Sequence, residues 1–367
     1  MLYRLLYPLR DHFSPLNIIQ YITFRAASAA ILALLISFIV GPFIIRKLNQ
    51  FQIGEEIRDH GPKSHLSKKG TPTMGGIIIL LAIILPTLLL SDIYNPYIQI
   101  ILISVVWMGL IGFIDDYLKT IKKMKKGLVA RYKLIGQITL GIIISLWVYH
   151  IPAFADYRTV TSVPFLKNIE IDFGMFYPLL VILVVTGTSN AVNLTDGLDG
   201  LAAGLLAIAF TVFAVIAYMS GRIDFSSYLN IIYLPGVGEL TIFSAAAIGA
   251  CLGYLWFNAA PAEVFMGDIG SLSTGAALGT LAMLLKKEIL LIIIGGVFVA
   301  EALSVLIQVG YFRWTLRQSG IGKRFFKMAP IHHHFEIKGW PESRIVIRFW
   351  IIGILLALFS IATFKIR

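Results

Sequence analysis

Long apolar windows separated by short charged segments dominate the chain. A helix needs about 20 predominantly apolar residues to cross the hydrocarbon of a bilayer, and ten windows approach that length. They run Phe24 to Leu48, Met74 to Leu90, Ile98 to Ile114, Leu134 to Tyr149, Phe176 to Ser189, Leu201 to Met219, Leu240 to Phe257, Gly270 to Leu285, Ile289 to Val309 and Ile345 to Phe364. Some are short or rich in Gly and Thr. Such spans survive only where neighbouring helices or a water-filled cavity satisfy the backbone, so they should line something polar. The first stretch, Met1 to Thr23, is aromatic and amphipathic without a small-residue cleavage site, and it reads as an interfacial lead-in. The pattern predicts an all-α, polytopic integral membrane protein of about ten transmembrane helices. It forms one domain over residues 1–367, with residues 311–343 as a loop.

Composition agrees: 57% of the 367 residues are hydrophobic and only 14% charged, against roughly 25% charged in soluble domains. The mean hydropathy of +0.82 excludes a water-soluble fold of this length. The only cysteine, Cys251, lies inside a predicted span, so there is no disulfide framework and no cysteine metal site. Charge sets the orientation. The segments Arg46 to Lys69, Lys119 to Lys133 and Arg313 to Arg344 hold 20 of the 31 basic residues. The positive-inside rule therefore puts these loops in the cytoplasm and both termini outside. Lys286 and Lys287 dissent. The run Lys122, Lys123, Lys125, Lys126 reads first as a topology determinant touching anionic headgroups, and second as a means of recruiting an anionic substrate. Nucleic acid is a poor fit, because the basic residues sit in short loops between spans.

The acidic residues fall at the cytoplasmic ends of this topology. Asp115 and Asp116 close the third span in GFIDDYLK; Asn193, Asp196 and Asp199 follow the fifth in NAVNLTDGLDG; Glu263 and Asp268 precede the eighth in PAEVFMGDIGS. A carboxylate forced to the bilayer centre costs about 2.5–3.5 kcal/mol, so a convergence of several needs a reason. For any single Asp, a helix cap in contact with headgroup water is the favoured explanation. For the set, a divalent cation is simplest, and Mg²⁺ suits a site of one or two carboxylates completed by water and phosphate. Adjacent helical positions diverge by about 100°, so Asp115 and Asp116 should have different jobs. Gly197 and Gly200 would let backbone approach a phosphate at the start of the sixth helix, a weak signal because Gly after Asp is also ordinary turn chemistry.

Before the last span lies Ala329-Pro330-Ile331-His332-His333-His334-Phe335-Glu336. Consecutive histidines cannot all ligate one ion, and between basic flanks they fit phosphate binding or proton transfer better. Phe325, Phe326, Phe335 and Trp340 make the segment apolar enough to pack as an interfacial helix. Glu301 and Gln308, seven residues apart, share a face of the ninth span and should point into the bundle; Glu301 reads first as a partner for a buried Ser or Thr, with a direct role as the alternative. Phe265 reads as packing, with ring stacking as the alternative.

Together and in this order, GTPTMGG after Lys69, IDD, NLTDGLDG, FNAAPAEVFMGDIGS and PIHHHFE resemble the MraY family, the phospho-N-acetylmuramoyl-pentapeptide transferases of peptidoglycan synthesis. The likeness covers nearly the whole chain. The first four motifs belong, with variations, to the wider polyprenyl-phosphate sugar-1-phosphate transferase superfamily, and the histidine triplet points to the narrower family. The resemblance implies transfer of phospho-MurNAc-pentapeptide from UDP-MurNAc-pentapeptide to undecaprenyl phosphate with Mg²⁺, giving lipid I and UMP. It also implies a homodimer among the lipids of a bacterial inner membrane, with periplasmic termini and the active site in a cytoplasmic-face cleft. By the same resemblance Asp115, Asp116 and Asp268 are the essential aspartates, Asp268 being the metal ligand and Asn193 a second one that also borders the substrate. His332, His333 and His334 match the loop handling nucleotide and phosphates. Lys69, Lys133, Asn190, Asp196, Asn258, Phe265 and Gln308 match positions around the nucleotide, with Phe265 under uracil. Direct attack by a carrier phosphate that Asp115 positions or deprotonates competes with a covalent intermediate on Asp116. Two rivals stand beside this reading: a UDP-GlcNAc:polyprenyl-phosphate GlcNAc-1-phosphate transferase, and an ion-coupled secondary transporter, although transport sites usually lie near the midplane.

Overall fold

The computed structural model describes residues 2–51, 70–124, 127–166 and 169–364. A short helix, α1 (Leu2–Leu6), and two 3-10 segments lead into α2 (Ile22–Gln50), α3 (Gly76–Leu90), α4 (Pro96–Thr120) and α5 (Ala130–His150). A small antiparallel hairpin, β1 (Val160–Ser162) with β2 (Glu170–Asp172), pairs Thr161 with Ile171. After it come α6 (Tyr177–Thr195), α7 (Leu201–Ser220), the short α8 (Ile223–Leu229), α9 (Glu239–Asn258), α10 (Gly267–Leu284), α11 (Glu288–Ile294), α12 (Gly296–Ser319), α13 (Ile331–Ile337) and α14 (Glu342–Ala362). Among the described residues, eight helical stretches are long and apolar enough to cross a membrane, and α3 is a shorter apolar helix. Ile39, Trp256, Leu306 and Leu358 stand exposed on these helices, as side chains bathed by lipid would.

The centre of the bundle is α10, packed against α4, α6, α3 and α7. Every residue from Ile269 to Leu284 is buried, which is why this helix can be rich in Gly, Ser and Thr. Its hydroxyls bond back to their own helix, Ser273 to the Ile269 carbonyl at 2.6 Å and Thr274 to that of Gly270 at 2.7 Å. Thr280 meets Ser104 of α4 at 2.9 Å. Small side chains let helix backbones approach where lipid supplies no hydrophobic drive.

Several sequence-based boundaries shift. The third and fifth predicted spans end at Ile114 and Ser189, but α4 continues to Thr120 and α6 to Thr195, so Asp115 and Asp116 sit a turn inside the end of their helix and Asn193 lies on α6 rather than after it. The ninth predicted span is broken at Gly295, and α12 then runs past Val309 to Ser319, shortening the expected loop at 311–343. It stops at Gly320, whose φ of 70° places it in the left-handed region that ends helices. The hairpin departs from an all-α fold.

That hairpin explains the two dissenting lysines. Lys286 and Lys287 are 1% and 2% exposed. The Lys286 ammonium donates to the Arg158 carbonyl at 3.1 Å and the Tyr177 hydroxyl at 2.9 Å. Tyr177 and Thr161 donate in turn to the Glu288 carboxylate, and Lys287 donates to the Ser162 hydroxyl at 2.7 Å. Burial pushes Lys286 down to about 8, against the pull of Glu288. These charges tie the hairpin to the α10–α11 turn instead of facing headgroups, so they carry no weight as loop charges.

At the same end Arg25 of α2 forms a two-pronged pair with Glu239 of α9, at 2.9 and 2.7 Å. Glu239 also accepts the Asp92 N–H at 2.7 Å, and the Tyr3 ring lies 4.3 Å from the guanidinium. Removing one member of such a buried pair leaves a lone buried charge, at a cost of about 3–5 kcal/mol. Arg25→Met should therefore lower the thermal midpoint in detergent by several degrees, and the double variant Arg25→Met/Glu239→Leu should recover most of the loss.

Candidate active site

Helices α4 and α10 cross closely at Gly112, where an added Cβ would collide with the Asp268 carbonyl. One turn further along α4, Asp116 meets the first turn of α10. Its two carboxylate oxygens accept the backbone N–H groups of Asp268 at 3.1 Å and Ile269 at 3.0 Å. The first N–H groups of a helix have no partner within it, so a carboxylate from a neighbouring helix serves as the cap. Gly267 makes room for this: its φ is 71°, and a Cβ there would sit 2.5 Å from Asp116 Oδ2.

Asp115 turns the other way. Its fully buried carboxylate accepts the Leu128 N–H at 2.6 Å through Oδ1, while Oδ2 pairs with Lys119, one turn along α4, and with Lys133 of α5 at 2.9 Å. Asp268, at the start of α10, pairs with the same two ammoniums, Lys133 closely and Lys119 at 3.3 Å. Its Oδ1 accepts from Asn193 Nδ2 of α6 at 2.9 Å, and that nitrogen also meets Ser271 Oγ at 3.0 Å. The two adjacent aspartates thus have different partners, as the helical geometry demands. They are still close enough to share an ion: one oxygen from each of Asp115, Asp116 and Asp268 lies within 4.8 Å of the others.

This donor set fits a hard divalent cation. Asp115 Oδ2 supports that fit directly, being buried and lacking a well-aligned hydrogen bond although two ammoniums face it. Asn193 offers its amide nitrogen to Asp268, so in this arrangement it orients the aspartate rather than presenting an oxygen to a metal. Lys119 was missed in the sequence because the third span was ended at Ile114; its spacing of four from Asp115 is the signal that would have found it.

Other sequence candidates surround this cluster. Asn190 donates to Gln137 of α5 at 3.0 Å. Asp196 terminates α6. Asn258 is buried, accepting the Gly200 N–H at 3.0 Å and donating to the Val264 carbonyl at 2.9 Å. Asp199 accepts the Ala262 N–H at 3.0 Å and gives its own N–H to Glu342 at 2.7 Å. The N–H groups of Asp199 and Gly200 are therefore taken by protein, which braces the end of the Gly197–Gly200 turn that enters α7. Phe265, half-buried three residues before Asp268, is fixed by backbone bonds to Pro72 and Gly75 at 2.8 Å each. Glu263 is exposed and outside the cluster, and Lys69 lies outside the described residues.

The histidines diverge on α13. His332 is fully buried, with Nδ1 3.1 Å from Glu301 Oε2 of α12. The carboxylate of Glu301 thus faces an imidazole and not the expected hydroxyl; Ser304 bonds only its backbone carbonyl, at 2.6 Å. His333 Nδ1 meets Glu336 at 2.6 Å, and His334 Nδ1 accepts the Lys327 N–H at 3.1 Å. Burial, together with Lys338 and Lys327, holds His334 below the ordinary histidine range, consistent with that acceptor role. Gln308 accepts the Phe326 N–H at 2.8 Å and so anchors the segment leading to α13.

Comparison with known proteins gives this geometry its context. Residues 98–286 match a family described as glycosyl transferase family 4, and residues 68–80 match phospho-N-acetylmuramoyl-pentapeptide-transferase signature 1. A phospho-N-acetylmuramoyl-pentapeptide-transferase of Thermodesulfovibrio yellowstonii is 53% identical over the full length of both chains. The chain belongs to the phospho-N-acetylmuramoyl-pentapeptide transferase family. Its relatives of the same name from Desulfosudis oleivorans and Chloroherpeton thalassium are 52% and 51% identical, again over the whole of both chains. The family match from 98 to 286 takes in Asp115, Asp116, Lys119, Lys133, Asn193 and Asp268. In this transferase Asp116 has a structural duty that can be measured apart from catalysis. Asp116→Ala strands two buried N–H groups, each worth about 1–3 kcal/mol, and should lower the thermal midpoint in detergent. Asp116→Asn, which keeps one acceptor oxygen, should lose less.

Proposed function

We propose that the protein transfers phospho-MurNAc-pentapeptide from UDP-MurNAc-pentapeptide to undecaprenyl phosphate, yielding lipid I and UMP for peptidoglycan synthesis. The observation that carries this reading is the junction of Asp115, Asp116 and Asp268 with Lys119 and Lys133 where α4, α5, α6 and α10 meet at one end of the bundle. One substrate is a lipid phosphate confined to the interface and the other a soluble nucleotide, so the reacting groups must meet at a membrane surface. The ten apolar windows favour ten spans in one membrane domain, and the basic loops favour periplasmic termini and an active site facing the cytoplasm of a bacterial inner membrane. A homodimer is part of the same family reading. Full-length identities of 51–53% favour the muramoyl-pentapeptide substrate over UDP-GlcNAc, and the gathering of acids at one bundle end argues against a midplane transport site.

Phosphoryl transfer asks mainly for positioning and neutralisation of charge. Asp268, with Asp115 and Asp116 beside it, would hold Mg²⁺, which when bound neutralises the diphosphate. Lys119 and Lys133 supply fixed positive charge on the same spot, and Lys133 is placed to steady the departing UMP. Asp115 orients the carrier phosphate or takes its proton. A carrier oxygen then bonds to the phosphorus bearing the sugar, as the bond from that phosphorus to the bridging oxygen breaks and UMP leaves with the oxygen. Asp116, with both oxygens engaged by the α10 backbone, is poorly free to act as a covalent nucleophile, which favours direct attack. Asn190, Asp196, Asn258, Phe265 and Gln308 frame the nucleotide side, with Lys69 from the segment before α3.

A radiolabel transfer assay tests the reading. Wild type should make labelled lipid I only with Mg²⁺; chelation or Asp268→Asn should cut the rate by about a hundredfold or more. Labelled UMP should not exchange into UDP-MurNAc-pentapeptide in lipid-free protein, and robust exchange would overturn direct attack. Preference for UDP-GlcNAc would refute the substrate.

A further inference from the structure

Helix α12 exposes most of its surface; its buried positions are Val297, Phe298, Glu301, Ser304 and Thr315. A carboxylate sealed within so thin a stripe does little for packing. Glu301 is 0% exposed, as is His332 on α13, and the two meet through Glu301 Oε2 and His332 Nδ1 at 3.1 Å. The contact is not aligned as a hydrogen bond, and neither carboxylate oxygen nor either ring nitrogen has another partner. Four polar atoms shut away from water in this manner are costly.

The other edge of the ring faces the α6–α7 turn. A Cβ on Gly197 would come within 2.3 Å of His332 Nε2, so only glycine fits beneath the ring. Four residues earlier in the chain, Asn193 holds Asp268. The imidazole thus bridges α12 and the turn that closes one side of the carboxylate cluster. A carboxylate accepting from Nδ1 fixes the ring's tautomer and direction, leaving Nε2 as the working nitrogen.

We infer that Glu301 is a positioning residue for the transfer reaction, acting through His332: it takes the Nδ1–H and directs Nε2 at Gly197 of the α6–α7 turn, four residues on from the Asn193 that holds Asp268. The inference rests on the transferase reading above. It assigns Glu301 a task in turnover, separate from binding either substrate.

The test is steady-state UMP release by the purified full-length protein in detergent, with UDP-MurNAc-pentapeptide, undecaprenyl phosphate and Mg²⁺. Glu301→Gln, close to isosteric, should lower kcat about tenfold or more while KM for both substrates stays within about twofold. Because the two residues act as a unit, Glu301→Gln/His332→Gln should be no slower than His332→Gln alone. An unchanged kcat, a loss expressed mainly in KM, or independent losses that multiply in the double variant would each overturn the inference. Should Glu301→Gln prove unstable by thermal unfolding, Glu301→Asp, which keeps the carboxylate, must recover most of kcat; an Asp variant as slow as the Gln variant also refutes it. A wild-type protein that releases no UMP would instead refute the transferase reading.

Discussion

The bond between the Asp116 carboxylate and the first N–H groups of α10 fixes the geometry on which the rest of the site depends. A helix start inside a membrane protein leaves donors that water cannot reach, and they must be met by protein. Meeting them from α4 sets how these two helices cross and how far each slides along the other. Gly112 and Gly267 are the local consequences, since a side chain at either would push the helices apart. Asp268 then falls beside Asp115 without further adjustment. One residue of the IDD motif builds the frame, and its neighbour faces the cations.

Charge balance makes this frame a phosphate site. Two ammoniums against three carboxylates leave the cluster net negative, which would repel a diphosphate, whereas a divalent cation among the carboxylates would reverse the sign of the field. Lys119 and Lys133 reach both Asp115 and Asp268, so they hold the two carboxylates together without neutralising them fully. Each ammonium is shared between two carboxylates rather than locked to one, which suits a site where charge moves from one phosphate to another.

Much of this was legible in the sequence, for identifiable reasons. Length and hydropathy located most of the helices, because a bilayer imposes one period and one length scale. The motif clusters pointed to Asp115, Asp116, Asp268 and Asn193, and the family resemblance added Lys133. Boundaries were less legible: hydropathy falls where a helix leaves lipid, yet α4 and α6 stay helical for a further turn or more, and Lys119 was lost in that margin. The hairpin was missed because it is short and paired locally. Glu301 was placed correctly in the interior but given the wrong kind of partner, since its neighbour arrives from α13, some thirty residues on, and no periodicity links the two. Lys286 and Lys287 misled for a related reason. Counting loop charges assumes exposure, and these two are internal.

The two ends of the bundle spend polarity differently. At the hairpin end Lys286, Tyr177, Thr161 and Glu288 answer one another's hydrogen bonds, as buried polar groups in a structural network should. At the aspartate end, Asp115 Oδ2, both oxygens of Glu301 and both ring nitrogens of His332 lack aligned partners. Among the described residues, every buried acid or imidazole atom in that condition lies near α4–α10 or the α6–α7 turn. A stability-optimised interior would not leave such atoms together, because each penalises folding. The hairpin end also leaves donors without aligned partners, Arg25 Nε, Tyr97 Oη and Arg158 Nε among them, so what sets the aspartate end apart is the kind of atom left: carboxylate oxygens and imidazole nitrogens, groups that can take a proton or a cation.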